Sequence, residues 1–287
     1  MNENGIVIVD DSPFSIAMLR NILEDNGFTV VGEASSLEGV KEVVAKSNPA
    51  LVTMDMTLPG TDGFECTRAI HKINENIKVI VVSSMMDDEI VKEAKKNNVS
   101  AYIQKPVDPD ELIIAVKRIV NSDELYRFLE DTHCSIFKES LLDCFNKMTK
   151  TLITYDAEYP QEKEFTSKGI SIIVGIIGEF PGRMLIDLSK ETATNLVSAV
   201  LRREPMDHNE VLLALGEFAN IISGNASSIL NRKNKALGLR VAPPSILRGE
   251  KVVISPPNFT TTTVLAKTDF GEIFLNVGFK RSVTNWM

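Results

Sequence analysis

Short apolar runs alternate with amphipathic stretches through roughly the first 120 of the 287 residues. Ile6-Val7-Ile8-Val9 runs into Asp10-Asp11, and a helical spacing follows from about Ser12 to Asn26, stopped at Gly27. Thr29 to Glu33 reads as a second strand and Leu37 to Lys46 as a helix closed by Asn48-Pro49. Leu51-Val52-Thr53-Met54 leads to Asp55, and Pro59-Gly60 breaks the chain before a helix over 63–74. Lys78 to Val82, a helix from Asp88 to Asn97, Ala101-Tyr102-Ile103 and a helix from Pro109 to Val120 complete the series. Strands that alternate with helices in this way predict an α/β layer structure: a doubly wound, five-stranded parallel sheet with helices on both faces. Ligands of such sheets bind beyond the carboxyl ends of the strands.

The pattern then changes. Residues 121–135 are polar, with Ser122, Asp123, Glu124, Glu130 and Asp131, and read as the linker between two domains. The expected division is therefore a first domain over 1–122, a linker over 123–135 and a second domain over 136–287. Ile136 to Ile153 reads as a helix. Gly169 to Gly178 and Arg183 to Leu188 read as strands joined at the turn-forming Glu179-Phe180-Pro181-Gly182. Helices are expected over 190–203 and 209–231, and strands over Lys251 to Ser255, Thr260 to Thr268 and Glu272 to Lys280. The second half is thus α+β.

Charge narrows the function classes. Residues 1–124 hold 12 Lys+Arg against 21 Asp+Glu, a net of −9, and residues 125–287 hold 19 against 18, a net of +1. Neither half has the basic excess that neutralises nucleic-acid phosphates, so no nucleic-acid partner is expected. Uninterrupted apolar runs stay well short of the roughly 18 residues that a membrane span needs, so no membrane association is expected either. Asn2, Glu3 and Asn4 do not begin a secretory leader. Cys66, Cys134 and Cys144 have neither zinc-site nor redox spacing. The expectation is a cytoplasmic protein.

Asp10, Asp11 and Asp55 each follow an apolar strand run, so in a parallel sheet the three carboxylates converge at one edge. Carboxylates held together require a cation, and hard oxygen ligands suit Mg2+. One of them can then act as a nucleophile toward a phosphoryl donor. Ser83 and Lys105 follow the fourth and fifth strands and offer a hydroxyl and a fixed positive charge. Pro106 comes next, where a cis peptide is expected. Taken singly, each is unremarkable, since an Asp after a strand is most often a cap. Five such residues at successive strand ends are not.

VIVDDS (7–12), VTMDMTLPGTDG (52–63), VIVVSS (79–84) and YIQKP (102–106) together resemble the CheY-like, flavodoxin-like receivers of bacterial two-component systems. The resemblance covers the first half. It implies Asp55 as phospho-acceptor, with Mg2+ held directly by Asp11 and Asp55, through water by Asp10, and by the backbone carbonyl of Thr57. It further implies Ser83 and Tyr102 as a switch pair and a sensor histidine kinase as phosphoryl source. Met85, two places after Ser83, overhangs this site and is expected to slow spontaneous loss of the phosphoryl group.

In VLLALGEFANIISGNASSIL (211–230), Leu212, Leu215, Ala219, Ile222, Ala226 and Ile229 repeat at steps of three and four, predicting one buried stripe of an amphipathic helix. Glu217 and Asn220, three apart, share the opposite face with Gly224. Gly in a helix costs about 1 kcal/mol relative to Ala, and a missing side chain lets another surface come close. GEFANIISGNA (216–226) resembles the ExxN helix of the CheC/CheX/FliY phosphatases, in its CheX form. That resemblance, over about residues 135–285, implies that the Asn220 carboxamide orients a water and that Glu217 pairs with a receiver lysine. It also implies association through strands of the second domain, with Thr260 to Thr268 and Glu272 to Lys280 as the strands offered. Leu213 departs from the polar residue frequent four places before the Glu.

The combined expectation is a response regulator with a CheX-like output domain. Its substrate would be phospho-aspartate in a CheY-like receiver, either a separate one or its own, and it would form a homodimer through the second domain. A non-catalytic receiver-plus-binding module is the alternative.

Overall fold

The computed structural model describes residues 5–85, 88–161 and 164–281. The outer ends of both expected domains, residues 1–4 and 282–287, lie outside them. The chain divides into two compact units, the first ending at Ser122 and the second beginning at Asp123.

The first unit runs β1 (Gly5–Val9), α1 (Pro13–Asp25), β2 (Thr29–Ala34), α2 (Leu37–Ser47), β3 (Leu51–Asp55), a small hairpin of β4 (Thr57–Leu58) and β5 (Thr61–Asp62), α3 (Gly63–Ile73), β6 (Lys78–Ser83), α4 (Asp88–Lys96), β7 (Ala101–Gln104) and α5 (Pro109–Val120). The five main strands form a parallel sheet in the order β2-β1-β3-β6-β7. Alternation along β1 fixes which helices cover which face. Ile6 and Ile8 pack with Leu19, Leu23, Leu112 and Val116 of α1 and α5, whereas Val7 and Val9 pack with Val40, Val44, Cys66 and Ile70 of α2 and α3. Helix starts follow their capping residues. Ser12 accepts from the Ser15 amide with Pro13 next to it, Asp62 accepts from Glu65, and Asp108 from Glu111.

The second unit begins with α6 (Ser122–Thr149) and continues through β8 (Thr154–Tyr155), β9 (Tyr159–Pro160), β10 (Phe165–Thr166), β11 (Gly169–Ile177), β12 (Gly182–Ser189), α7 (Lys190–Leu201), α8 (His208–Lys233), β13 (Arg240–Val241), β14 (Ser245–Arg248), β15 (Val253–Ile254), β16 (Thr261–Thr268) and β17 (Gly271–Phe279). Its main sheet is antiparallel in the order β13-β11-β12-β17-β16-β8, with β14 also on β11 and β9 on β16. Helices α6, α7 and α8 pack on one face against Ile172, Val174, Ile186, Val264, Leu275 and Phe279. On the other face the β10–β15 ladder covers Leu185 and Phe274, with Phe165 stacked on Phe274 at 4.1 Å. Asp187 is buried there and accepts from Ser167 Oγ at 2.6 Å, Ser171 Oγ at 2.5 Å and the Lys168 amide at 2.9 Å. Burial pushes its carboxyl above the usual range, against the pull of these donors.

Two expectations change. Residues 123–135 are helical, forming the first half of α6, with Leu125, Leu129 and His133 buried in the second unit. The acidic residues that suggested a linker flank these buried positions, Asp123 and Glu124 before Leu125, and Glu130 and Asp131 between Leu129 and His133. The strands expected to join two copies are also committed within the chain. β17 pairs with β12 and β16, and the outer edge of β16 is taken by β8 at 266–267 and β9 at 262–263. A strand hydrogen-bonded on both sides has no edge to lend.

Candidate functional site

In the first unit, sheet register assembles the site. Val9 lies opposite Met54, so the residues following them, Asp10 and Asp55, emerge side by side. Asp55 is opposite Val82 and Ser83 opposite Gln104, which brings Ser83 and Lys105 to the same edge. One ligand oxygen from each of Asp10, Asp11 and Asp55 lies within 4.8 Å of the others. Asp10 and Asp55 are buried and Asp11 is exposed. Lys105 Nζ stands 2.9 Å from Asp10 Oδ2 and 3.3 Å from Asp55 Oδ1. The other Asp10 oxygen accepts from the Ser12 amide at 2.9 Å. The Lys105–Pro106 peptide is cis, as expected.

These contacts set the charge balance. Burial pushes the Asp55 carboxyl above its usual range; Lys105 pulls it down, Asp10 pushes it up, and the Thr57 amide lowers it. Burial works against the Lys105 ammonium, yet Asp10 and Asp55 hold its pKa above the ordinary lysine value. Three converging carboxylates against one ammonium leave negative charge in place, and a set of hard oxygens fits a divalent cation of the Mg2+ type.

Two residues beside this cluster carry more than the sequence disclosed. A Cβ at Gly63 would meet the Asp55 carbonyl oxygen at 2.6 Å, so only glycine lets α3 start this close to β3. Met85 was expected to overhang the site through its side chain. Its peptide in addition bridges the two expected switch residues. Its amide donates to Ser83 Oγ at 3.2 Å, and its carbonyl accepts from the Tyr102 hydroxyl. Backbone contacts leave no pattern in a sequence. Thr57 is exposed next to Asp55.

In the second unit, Glu217 and Asn220 sit on α8. The buried face holds Leu215, Ala219, Ile222 and Ala226 as expected, while Leu212 and Ile229 are half-buried at its margins and Val211, Phe218 and Leu230 join it. Glu217 is exposed and Asn220 half-buried, and neither side chain has a polar partner among the described residues. A Cβ at Gly224 would meet nothing within 4 Å, so the stripe Leu213–Glu217–Asn220–Gly224 is open. Beside it lies an apolar cavity of about 140 Å³ that the sequence did not reveal, lined by Met148, Leu196, Val200, Ala214 and Phe218, with Glu217 at its rim.

Comparison with known proteins agrees with this division. The response regulator receiver domain model matches residues 6–117. Chemotaxis protein CheY of Thermotoga maritima is 35% identical over 114 residues, 40% of this chain and 95% of that protein. CheY of Bacillus subtilis is 34% identical over 116 residues, 40% of this chain and 97% of that protein. The chain belongs to the response regulator receiver family through its first unit. Its second unit carries a further domain: the model described as chemotaxis phosphatase CheX matches residues 170–266. A solved chemotaxis protein CheX from Desulfovibrio desulfuricans is 22% identical, covers 52% of this chain and 99% of its own, and has a TM-score of 0.48. No helix among the described residues is long and apolar enough to cross a membrane.

Proposed function

We propose that the chain is a response regulator that takes a phosphoryl group on Asp55 and hydrolyses phospho-aspartate in a receiver with α8 of its second unit. The observation that carries the reading is the presence, on one chain, of a carboxylate–lysine cluster and an open, unpartnered Glu217–Asn220 pair.

On the receiver, Asp55 supplies the attacking oxygen, Ser83 and Lys105 bind phosphoryl oxygens, and a sensor histidine kinase is the donor. Asp11 and Asp55 would hold Mg2+ directly, Asp10 through water, and Thr57 by its backbone carbonyl. The ion, when bound, neutralises charge on the transferring oxygens. Ser83 and Tyr102 change together on phosphorylation, since both are tied to the Met85 peptide.

On α8, Glu217 pairs with the lysine of the phosphorylated receiver, and the Asn220 carboxamide holds a water in line with phosphorus. The water oxygen bonds to phosphorus, the bond to the aspartyl oxygen breaks, and carboxylate and inorganic phosphate result. An acyl phosphate is already activated, so positioning one water is sufficient without a strong base. Release of phosphate from a phosphorylated CheY-type receiver, with and without Asn220→Ala, tests this. The wild-type chain accelerates release and the variant does not.

The exposed Leu213 favours a second reading, in which α8 binds a receiver without hydrolysing it. Binding without acceleration in the same assay selects it. Two copies associate through the second unit, at surfaces other than the paired edges of β16 and β17.

A further inference from the structure

The face of the second sheet turned away from α6, α7 and α8 carries a cation that no acid neutralises. Along β12, Met184, Ile186 and Leu188 enter the helical core, so Arg183, Leu185 and Asp187 point to the opposite face. Arg183 is half-buried there. The residues paired with it, Gly175 on β11 and Gly278 on β17, have no side chains, so bare backbone flanks it on both sides. A Cβ at Gly278 would collide with the Thr260 carbonyl, whereas one at Gly175 would meet only Ala242 Cβ, at 3.6 Å. The room beside Arg183 is therefore on the Gly175 side.

The guanidinium is aimed but not compensated. Nη2 donates to Asn276 Oδ1 at 3.4 Å and Nη1 to the Ser255 carbonyl at 3.5 Å. Both acceptors are neutral, and both bonds are longer than the roughly 2.7–3.2 Å of a well-formed N–H···O bond. Nε is buried without a partner. Asn276 is fully buried, and its amide donates to the Thr261 and Thr263 hydroxyls at 2.8 and 2.9 Å, so the acceptor that aims the guanidinium is itself fixed. Among the described residues no carboxylate pairs with Arg183. Asp187, two residues on and on the same face, is occupied by Ser167, Ser171 and the Lys168 amide. Burial accordingly holds the Arg183 pKa below the ordinary arginine value, and no acid offsets it. A charge withdrawn from water without an opposite charge is costly, and an arriving anion relieves that cost.

We infer that Arg183 is the centre of an oxyanion site on this face, taking a phosphate or carboxylate group whose oxygens meet the guanidinium fork from the Gly175 side. A planar fork with no carboxylate of its own matches such groups in shape as well as charge. The site is separate from Glu217 and Asn220, which lie on a helix packed against the other face of the sheet. Its test therefore does not pass through the phosphatase reading.

The full chain with isotope-labelled arginine is titrated with inorganic phosphate and, separately, with acetate, at an ionic strength held constant with chloride. The Arg183 Nε–H resonance, identified by its loss in Arg183→Lys, is observable because burial slows exchange of that proton with water. It is expected to shift saturably with at least one anion. Phosphate alone makes the ligand a phosphoryl group, and acetate alone makes it a carboxylate. The anion that moves the resonance also raises the Tm of the wild-type chain by roughly 2–4 °C. Arg183→Lys, which keeps the charge but not the fork, gains less, and Arg183→Met gains nothing. If the resonance moves no further with either anion than with chloride, or if Arg183→Met gains as much thermal stability as the wild type, the inference is overturned and Arg183 only braces Asn276.

Discussion

The Lys105 ammonium lies 2.9 Å from the buried carboxylate of Asp10, although 95 residues separate them in the chain. It shares that carboxylate cluster with whatever cation enters. Two consequences follow for one substitution, Lys105→Ala. Removing a positive charge a few ångströms away strengthens Mg2+ binding, by roughly tenfold if about 1.4 kcal/mol of repulsion is relieved. Phosphorylation of Asp55 falls, because the phosphoryl oxygens lose their fixed cation. Titration of Mg2+ by calorimetry, alongside acetyl-phosphate labelling, reads both. Weaker binding together with normal labelling would contradict this role for Lys105.

Gly224 separates stability from function. Its Cβ position is empty space on the open stripe of α8. Gly224→Ala therefore raises stability by about 0.5–1 kcal/mol through helix propensity. Gly224→Leu keeps the fold yet obstructs an approaching receiver, slowing phosphate release while the melting temperature holds. Calorimetry and a phosphate-release assay on the same samples check the pair. Undiminished release in Gly224→Leu would mean that nothing docks over this position.

Much of the first unit was legible in the sequence because its strands are short, and β1, β3, β6 and β7 are mainly apolar runs that end at or just before a polar or charged residue. Asp10, Asp55, Ser83 and Lys105 are where the strand ends put them. The start of the second unit was harder to read. In α6, Asp123, Glu124, Glu130 and Asp131 bracket the apolar Leu125, Tyr126, Phe128 and Leu129, and the two buried leucines, four apart, make too brief a stripe to stand out. β13 and β14 were missed because they have two and four residues and are set among Pro243, Pro244 and Gly249. The cavity beside Glu217 could not be read at all, since it is bounded by three helices whose packing is tertiary.

Because α6 belongs to the second unit's core, Leu129→Ala destabilises that unit by about 2–4 kcal/mol, as a buried leucine truncation does. Were 123–135 a linker, the cost would be negligible. Urea unfolding of the full chain, followed by hydrogen exchange on the β11 and β12 amides, distinguishes the two.

His133 makes the second unit sensitive to acid. Burial lowers its pKa below the ordinary 6.5, and the backbone carbonyls of Leu129 and Glu130 and the charge of Glu130 offset this in part. The unfolded chain thus binds the proton more readily than the folded one. Stability is lost as pH falls through about 6.5 and toward the folded pKa, and is retained above it. His133→Phe keeps an aromatic side chain next to Phe279 and removes the titrating group. The urea midpoint of the wild-type second unit drops between about pH 7.5 and about pH 5.5, and the variant's drops less. Half-buried His71, whose pKa is also lowered by burial, belongs to the first unit and is common to both proteins.

The account depends first on Asp55 accepting a phosphoryl group. Intact-mass measurement of the full chain after incubation with acetyl phosphate and Mg2+ tests it most directly. The expected result is a mass gain of one phosphoryl group that requires Mg2+, disappears in Asp55→Asn and persists longer in Asn220→Ala than in the wild type. A chain that gains no mass, or gains it equally in Asp55→Asn, would contradict the account.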